Sequence, residues 1–507
     1  MITPTMNYDS KESTMKSIFK TRRSARLTAV LVIGVMTTSI GAAGDDLSSG
    51  RTVAMARTYT ASSRGIDALG LNPANLALDD RGSTVTFQIP PFTGIGVLAG
   101  SDFINYKIYQ DDFTGVDSLG ADGQPALDKN GKAIRIGKTL SEADKQEILG
   151  LFPGGISHTQ ANFNITEFGL TVRSNTIGSF GLSVSDHAAI NLDIPQGYLQ
   201  TLLEAFPANG AVYSLDGTSV KASWTREFNL SYARMLPVKL GWAKNIAVGV
   251  GLKYVQGFAY LGTDHYTGAI QILPTYYPGN VLNTQAISGN VNFLQYMSGV
   301  NFDSTSSASE FLGKPAGRGM GVDLGFSAEV FPALRVAASL TDLGKITWSQ
   351  NTKVITGNSN FTVADIGNKD SVKNYFKGEK YDTTSFKTSL PTALHIGGEL
   401  QVDKAPFVSY FPGQLLVAAD LNVGFNNEPG NTTIPRFSIG TEYRPIGAFP
   451  IRTGITVGGR ERFNWSLGFG INTPIWDLDL GTESIGLLTS PNSFHTGSIT
   501  LGMRFRI

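Results

Sequence analysis

The sequence has no cysteine, few charged residues and no net charge. Without cysteine there is no disulfide, no thiolate metal site and no acceptor for a lipoprotein anchor. The 41 basic and 41 acidic residues cancel, so charge gives no argument for binding nucleic acid or an anionic membrane surface. Only 16% of the residues are charged, against roughly 25% in an average soluble domain. This composition is unlike that of an ordinary soluble enzyme.

The sequence also lacks long apolar runs and catalytic motifs. Beyond the N-terminus no run approaches the ~20 apolar residues of a spanning helix. No two of the five histidines have metal-ligand spacing, and there is no nucleophile elbow or phosphate-binding loop. Ser185-Asp186-His187 has triad residue types, but strand neighbours point to opposite faces, so we interpret it as a solvated strand end. We predict a protein that is not an enzyme, with no catalytic residue, metal, cofactor or nucleic-acid partner.

The first 43 residues have the order of a secretory signal. Basic residues between Lys16 and Arg26 precede an apolar core at residues 27–36, and small residues end at Ala43. This order predicts a signal peptide over residues 1–43 that is cleaved after Ala43. Residues 1–14 are unusually polar for such a signal, which makes Met15 a candidate for the true start. We therefore expect an exported protein.

From residue 83 onward, apolar residues recur at every second position in one segment after another. Clear cases are residues 320–330 and 463–471, where apolar side chains alternate with Gly, Ser, Asn or charged ones. Period two predicts strands with one apolar and one polar face. We count about fourteen to sixteen segments, which fits the even strand numbers of bacterial membrane barrels. The high glycine content, 58 residues, also suits an all-β chain.

Two architectures share this pattern, a soluble β-sandwich and a membrane barrel. Unequal loops favour the barrel, because residues 101–162, 265–318 and 349–390 form long connections and residues 175–177, 458–462 and 472–474 form short ones. Aromatic residues near strand ends favour it too, because barrels carry aromatic girdles at both membrane interfaces. The aromatics assigned to these girdles are Tyr254, Tyr260, Trp348, Tyr443, Phe463, Trp465 and Trp476.

The last strand carries the strongest signal. Ile499, Leu501, Met503, Phe505 and Ile507 alternate with polar or small residues up to the end of the sequence. In a membrane barrel this strand must pair with the first, because lipid tolerates no open sheet edge. The final eight residues resemble the assembly signal of outer-membrane barrels, with Thr500, Gly502, Phe505 and Ile507 in its fixed places. An isoleucine stands where most such barrels end in phenylalanine.

A second resemblance precedes the first strand. Asn72-Pro73-Ala74, with Gly65 and Ala68 before it and Leu76 after it, resembles the N-terminal signature of the fatty-acid-transporter (FadL and PorV) superfamily of outer-membrane barrels. The resemblance implies a hatch over residues 44–82 inside the lumen, then a barrel of about fourteen strands over residues 83–507. The alternative is an ordinary turn, since Asn-Pro starts many turns.

Two long loops contain predicted helices. Ser141 and Asp144 form a capping pattern before residues 142–151, and residues 195–205 carry apolar side chains at helical spacing. The nearby Phe152 and Leu199 are our candidates for an apolar entry site in the loops.

The superfamily resemblance implies an outer-membrane channel for hydrophobic small molecules. Its expected partners are outer-membrane lipid, the barrel-assembly machinery and the transported molecules. The channel is the leading hypothesis. The alternative is a PorV-like scaffold, a partner of a protein-secretion or surface-attachment system, and the sequence barely discriminates between the two.

Overall fold

The structure is a computed structural model that describes residues 47–103, 116–120, 123–129, 131–136, 140–203, 211–238, 241–273, 286–299, 314–363, 375–489 and 495–507. The predicted signal peptide, with Met15 and the cleavage point after Ala43, lies outside the described residues. So do the first three residues of the predicted hatch. Residues 47–82, which we call the plug, precede the first strand.

Fourteen strands form the wall of a barrel. They are β1 (Val85–Gln88 continued by Gly94–Ser101), β2 (Ile156–Val172), β3 (Ser179–Pro195), β4 (Ser219–Met235), β5 (Lys244–Leu273), β6 (Gly317–Phe331), β7 (Leu334–Trp348), β8 (Phe386–Ser389 continued by Ala393–Gln401), β9 (Gln414–Gly424), β10 (Arg436–Arg444), β11 (Ile451–Gly458), β12 (Arg462–Asn472), β13 (Trp476–Thr482) and β14 (Thr496–Arg506).

Each strand pairs antiparallel with the next, and β14 pairs with β1 to close the sheet. Thr86 lies opposite Arg506, and the Ile507 amide donates to the Val85 carbonyl at 2.8 Å. Phe505 stacks on Phe87 at 5.2 Å between ring centroids. The closed, fourteen-stranded, all-β barrel predicted from the sequence is confirmed. Closure removes both sheet edges, which is the condition for spanning lipid.

The polar face of the wall points inward and the apolar face points outward. Asp323 and Ser438 on the inner face are fully buried, whereas Leu252 and Ile455 on the outer face are 52% and 45% exposed. A soluble barrel would show the reverse, because water rewards burial of apolar rather than polar surface. The outer surface is therefore matched to acyl chains, and the soluble sandwich is excluded.

The predicted aromatic girdle is partly wrong. Phe463 and Trp465 are exposed on the outside, as expected, but Trp348 is 0% and Tyr260 is 5% exposed. These two rings pack against each other inside, at 5.3 Å between centroids. Trp348 occupies space left by Gly257 and Gly317, where any Cβ would collide with the indole. Counting aromatics near strand ends could not reveal this, because a bulge in β5 next to Gly257 and a bulge in β7 before Trp348 change which face a residue occupies.

Two further expectations are corrected. The short turn at residues 458–462 was expected at the end opposite the long loops. It lies at the same end as the long loops, because strand direction alternates around the wall and this turn joins the end of β11 to the start of β12. The Ser185-Asp186-His187 run is not a solvated strand end, since it lies in the middle of β3. There Asp186 accepts two hydrogen bonds from Arg226, at 3.0 and 2.6 Å.

Several strands are longer than the ~9–11 residues that cross a bilayer. β5 has 30 residues and projects beyond the barrel at the long-loop end. Its upper half pairs with Val212–Ser214 on one side and Ala286–Ser298 on the other. Lys353–Val363 and Glu379–Asp382 follow in the same projecting sheet. A separate two-stranded pair, Val116–Asp117 with Arg135–Ile136, is also described.

The helices among the described residues are short. The predicted loop helices are present as Glu142–Leu149, with its Ser141–Asp144 capping box, and Gln196–Leu203. The described part of the chain also has α-helical residues at Gly50–Ala54, 375–377 and Gly486–Thr489, and 3₁₀ turns at Gly65–Ala68, Pro73–Ala77, Pro153–Gly155 and Val402–Lys404. Among the described residues, no helix combines the length and apolar composition needed to cross a membrane.

Candidate functional site

The plug lies inside the barrel and is almost wholly buried. Its first helix, Gly50–Ala54, begins at Ser49, whose side chain accepts a hydrogen bond from the Thr52 amide at 3.3 Å. Its last turn, Pro73–Ala77, begins at Asn72, whose side chain accepts from the Ala74 amide at 3.1 Å. Pro73 at the first helical position and an Asn cap are favourable sequence choices for starting such a turn. The Asn-Pro-Ala motif is thus a capped turn within the lumen.

The other motif residues hold this turn against one side of the wall. Asn72 also donates to the Thr60 carbonyl at 2.8 Å and to the Phe326 carbonyl of β6 at 3.4 Å. Ala68 and Leu76 belong to an apolar cluster that includes Ala233 of β4. Gly65 has a φ of +53° and lies beside Asp80, where a side chain would collide. The motif therefore fixes the shape of the plug and its contact with β4–β6.

Glycines on the inner face of the wall make room for the plug. A Cβ on Gly454 of β11 would lie 2.8 Å from the Ala56 Cβ, and one on Gly440 of β10 would collide with the Met55 carbonyl oxygen. Further glycines approached by the plug backbone or side chains are Gly94, Gly96, Gly169, Gly181, Gly249, Gly325, Gly397, Gly468 and Gly481. Because they are spread around most of the wall, the plug fills the lumen at its own level.

Ion pairs join the plug to the wall. Arg51 donates to Glu442 of β10 at 3.0 Å, and Arg57 pairs with Glu461 at 3.2 Å. Further pairs between the plug and the rest of the chain are Arg57–Glu483, Arg64–Glu399, Arg81–Asp477, Asp67–Arg504 and Asp80–Arg506. A buried pair contributes little net stability, but loss of one partner leaves a costly buried charge. The pairs therefore select one position of the plug.

Asp420 of β9 makes the densest contact with the plug. Its Oδ2 accepts from the amides of Tyr59 and Thr60 at 2.9 and 2.8 Å and from the Thr60 hydroxyl at 2.6 Å. The Tyr59 hydroxyl lies 3.2 Å from Nδ1 of His395. Asn75, next to the predicted motif, donates to the Thr60 carbonyl at 3.0 Å. Sequence reasoning missed these anchors because it could place inner-face polar residues but not their plug partners.

Asp80 closes the plug at the short-turn end. Burial by itself would raise the pKa of its carboxyl group, but the guanidinium groups of Arg506 and Arg504 outweigh burial and lower that pKa below the ordinary value. The Arg506 Nη1 to Asp80 Oδ2 distance is 2.7 Å. Asp80 is therefore held as an anion between the end of the plug and the last strand.

A charged cavity of about 590 Å³ lies between the plug and the short turns. Arg64, Asp80 and Arg81 of the plug line it, together with Lys404 and Arg444 from the wall and its turns. Both signs of charge are present, and the arginines already have carboxylate partners. This cavity is lined by polar and charged groups, so apolar contacts for an apolar molecule have to lie at the opposite end of the barrel.

The long-loop end holds the two candidate entry residues. Phe152 is buried and packs on Phe103 at 5.4 Å between centroids. Leu199 is half-buried on the helix Gln196–Leu203, whose Gln196 side chain donates to the Leu149 carbonyl at 2.9 Å. The structure places both residues in neighbouring loop segments. Their role in entry stays a prediction.

A loop that sequence reasoning missed crosses the lumen at this end. Glu428, between β9 and β10, accepts from the Tyr260 hydroxyl of β5 at 3.1 Å and lies 3.4 Å from Lys221 Nζ of β4. Asn426 and Asn431 tie the same loop to β8 through the carbonyls of Leu390 and Thr392. No sequence prediction covered this segment, because crossing the lumen depends on partners in distant strands.

A buried cation network lies in the wall beside the plug. Lys253 of β5 is 2.6 Å from Asp342, 3.3 Å from Asp323 and 3.4 Å from Glu227. The sequence predicts only the alternation over residues 320–330, which puts Asp323 on the polar face of β6. Among the described residues, no group of three or more His, Asp or Glu side chains has the geometry to hold a metal ion.

Together these features define a class: a closed, lipid-facing β-barrel whose lumen is filled by the segment preceding its first strand. The chain belongs to the family of unknown function DUF5723, whose model matches residues 73–479. No curated protein matched the chain.

Solved structures similar to this chain include toluene transporters. TbuX of Ralstonia pickettii is 13% identical, with 91% of this chain and 99% of TbuX covered and a TM-score of 0.42. TodX of Pseudomonas putida is 10% identical, with 92% and 99% covered and a TM-score of 0.42. A FadL homologue of Pseudomonas aeruginosa is 12% identical, with 92% and 98% covered and a TM-score of 0.39. At these values, the substrates of the neighbours say nothing by themselves about this chain.

Proposed function

We propose that this chain is an outer-membrane channel that passes small hydrophobic molecules, with the plug as its hatch. The observation that carries the proposal is a lumen filled by a segment of the chain itself, held only by noncovalent contacts. Barrels of this kind hold plugs or water in their lumen, and a permanently open pore would need no fitted segment. A plug fixed by ion pairs and close packing can exchange those contacts for water when it shifts.

The outer-membrane location rests on the wall. Its apolar face is exposed on the outside, and the only spanning structures that satisfy every backbone group in lipid are helices and closed barrels. The predicted signal peptide supplies export, and the last strand supplies the feature expected to be read by the barrel-assembly machinery. Outer-membrane lipid is thus the first partner of the protein in this proposal.

The hydrophobic nature of the cargo is argued from the long-loop end. There Tyr213, Phe293 and Phe361 form a buried apolar cluster, with the Tyr198 ring of the helix Gln196–Leu203 packed against it. The Phe103–Phe152 pair lies in the neighbouring loop segment. These apolar side chains lie on strands that project above the wall and on the adjoining helix, outside the closed sheet, so they can rearrange around an apolar molecule without opening the wall. We therefore assign the capture site to this end.

A reversible clamp on the plug tests the hatch. Ser48 Oγ of the plug lies 2.8 Å from Thr166 Oγ1 of β2. A Ser48→Cys/Thr166→Cys variant can form a disulfide of about 2.05 Å with little movement. The chain has no other cysteine to compete. Cells carrying the variant in the outer membrane are assayed for uptake of N-phenyl-1-naphthylamine before and after reduction. We expect uptake at the background level when oxidised and at the wild-type level when reduced.

The matched control locks two wall strands together. Ser101 Oγ of β1 and Thr159 Oγ1 of β2 are also 2.8 Å apart. A Ser101→Cys/Thr159→Cys variant should transport equally well in both redox states. If the plug clamp leaves uptake unchanged, the hatch role is wrong. If wild-type cells take up no more probe than cells without the protein, the channel is wrong, and co-purification of exported proteins would then favour the PorV-like scaffold.

A further inference from the structure

The sheet that projects from β5 has a polar face at the long-loop end, and the rows at its centre are uncharged. Above Tyr260, β5 stops pairing with β6 and pairs with Ala286–Ser298 instead, which pairs in turn with Lys353–Val363. Side chains alternate between its two faces. Val291, Phe293, Ile355 and Phe361 are buried on one face. Asn290, Asn292, Asn358, Asn360 and Thr362 are exposed on the other.

The strand register arranges the polar face into rows. Asn290 lies opposite Asn360, and Asn292 lies opposite Asn358. In the row above, Gln271, Ser288 and Thr362 are aligned across three strands. Adjacent strands are about 4.8 Å apart, and alternate residues along a strand are about 6.6 Å apart. The result is a grid of short polar side chains on the scale of a monosaccharide ring.

The grid surrounds a cavity of about 410 Å³. Its polar lining consists of Gln271, Ser288, Asn290, Asn360 and Thr362, and none of the described residues that line it is charged. Among the described residues, the side-chain amides of Gln271, Asn290 and Asn360 have no hydrogen-bond partner. These donors and acceptors are free to bind a ligand.

Stability alone does not account for this composition. Asparagine is unfavourable in strands, and exposed sheet surfaces are usually protected by lysine and other charges. Here two cross-strand asparagine pairs stand side by side without charge. Each amide offers two N–H donors and an acceptor oxygen, which complement the one O–H donor and the acceptor oxygen of each sugar hydroxyl. An uncharged surface also avoids the desolvation cost that a charged one would impose on a neutral ligand.

We propose that this face binds a neutral oligosaccharide. The ligand lies across the Asn290–Asn360 pair, with its hydroxyl groups bonded to the amides of both strands. The face continues past the exposed Glu379, which lies opposite Thr356, to Tyr381, which is 51% exposed and lies opposite Val354. The Tyr381 hydroxyl donates to the Glu379 carboxylate, and the ring stays available for a longer saccharide to place a sugar ring against it. The site is independent of the channel and of the hatch.

Calorimetry on the full chain in detergent tests the proposal. The probes are maltohexaose, cellohexaose, mannohexaose and the corresponding trisaccharides. We expect millimolar or tighter binding of at least one hexasaccharide. Asn290→Ala/Asn360→Ala should weaken that binding by at least about tenfold, because two hydrogen-bonding groups are lost. Tyr381→Ala should weaken the hexasaccharide more than the trisaccharide.

The control variant is Asn175→Ala, an exposed asparagine in the β2–β3 turn at the opposite end, which should leave binding unchanged. Folding of each variant is checked by its heat-dependent mobility on a gel. Two results would overturn the site: no binding of any hexasaccharide at 10 mM, or unchanged affinity in a folded Asn290→Ala/Asn360→Ala protein. Neither result bears on the channel, which the plug clamp tests separately.

Discussion

The two faces of each wall strand obey different rules. Inner-face residues have specific partners: Gly440 receives the plug backbone, and Glu442, two positions later, receives Arg51. Outer-face residues such as Leu252 are exposed and contact a solvent rather than a particular group. The inside therefore encodes the shape and charge of one segment, whereas the outside encodes only an apolar environment. On the outer face, a substitution that keeps the chemical class of the side chain should be tolerated. On the inner face, the effect of a substitution should depend on the particular contact that it removes.

The largest effect is expected at Glu442. It accepts from Arg51 and Arg452 and pairs with Arg444. Glu442→Gln removes the carboxylate that balances the positive charge of these buried guanidinium groups. Removing one partner of a buried pair costs about 3–5 kcal/mol. Urea unfolding in lipid vesicles measures the loss. The control Glu142→Gln removes an exposed helix pair and should cost less than about 1 kcal/mol. Similar losses for both would mean that the plug pairs are not buried.

The next effect is on the outer face. Leu252→Arg places a charge against acyl chains, which costs about 2–4 kcal/mol at the bilayer midplane. Leu252→Met keeps the class of side chain and should cost under about 1.5 kcal/mol. Folding yield and the urea midpoint in vesicles report both. An arginine tolerated as well as a methionine would show that this face does not meet lipid.

A smaller loss is expected when the inner face is overfilled. Gly440→Leu places a side chain where the Met55 carbonyl lies, and overpacking costs about 1–3 kcal/mol. The plug should be displaced while the wall stays closed. Proteolysis of residues 47–82 should therefore be faster, whereas the stability of the wall should not change. Gly447→Leu, in a turn where no atom lies within 4 Å of the new Cβ, is the control. Equal protection of the plug in both variants would contradict a fitted lumen.

The smallest effect appears only in acid. The folded-state pKa of Asp80 is lowered, so its ionised form stabilises the native state above the unfolded pKa of about 3.9. That contribution is lost as pH falls from about 5 through the lowered pKa. Plug protection against protease should therefore weaken in acid, and Asp80→Asn should remove this part of the pH dependence. A wild-type and an Asp80→Asn protein with parallel pH profiles would refute the assignment.

Sequence periodicity predicted the wall well because each strand reports its own environment. Ile499 to Ile507 alternated as a closing strand should, and the capping pattern at Ser141 marked a real helix start. The candidate site was predicted less completely. Asn72 and its neighbours were recognised from a resemblance, but Asp420 and Arg57 were not, because their partners are hundreds of residues away.

The failures have one cause. Tyr260 and Trp348 were assigned to the membrane interface from their places in the sequence, but bulges in β5 and β7 turn them inward, where two glycines leave room for the indole. Glu428 drew no prediction from the sequence, although it bonds to β4 and β5 across the lumen. In each case the deciding contact joins strands that are not neighbours in sequence, and local pattern has no information on such contacts.

The sequence by itself determined that the chain would form a closed antiparallel wall with one oily and one polar face. Period-two alternation sets the faces, and lipid forbids an open edge. Only the tertiary structure decided what occupies the interior: which glycines receive the plug, which carboxylates hold its arginines and which loop crosses above it. The reason is that facing lipid requires only a class of side chain, whereas filling a lumen requires complementary shapes and charges brought together from distant parts of the chain.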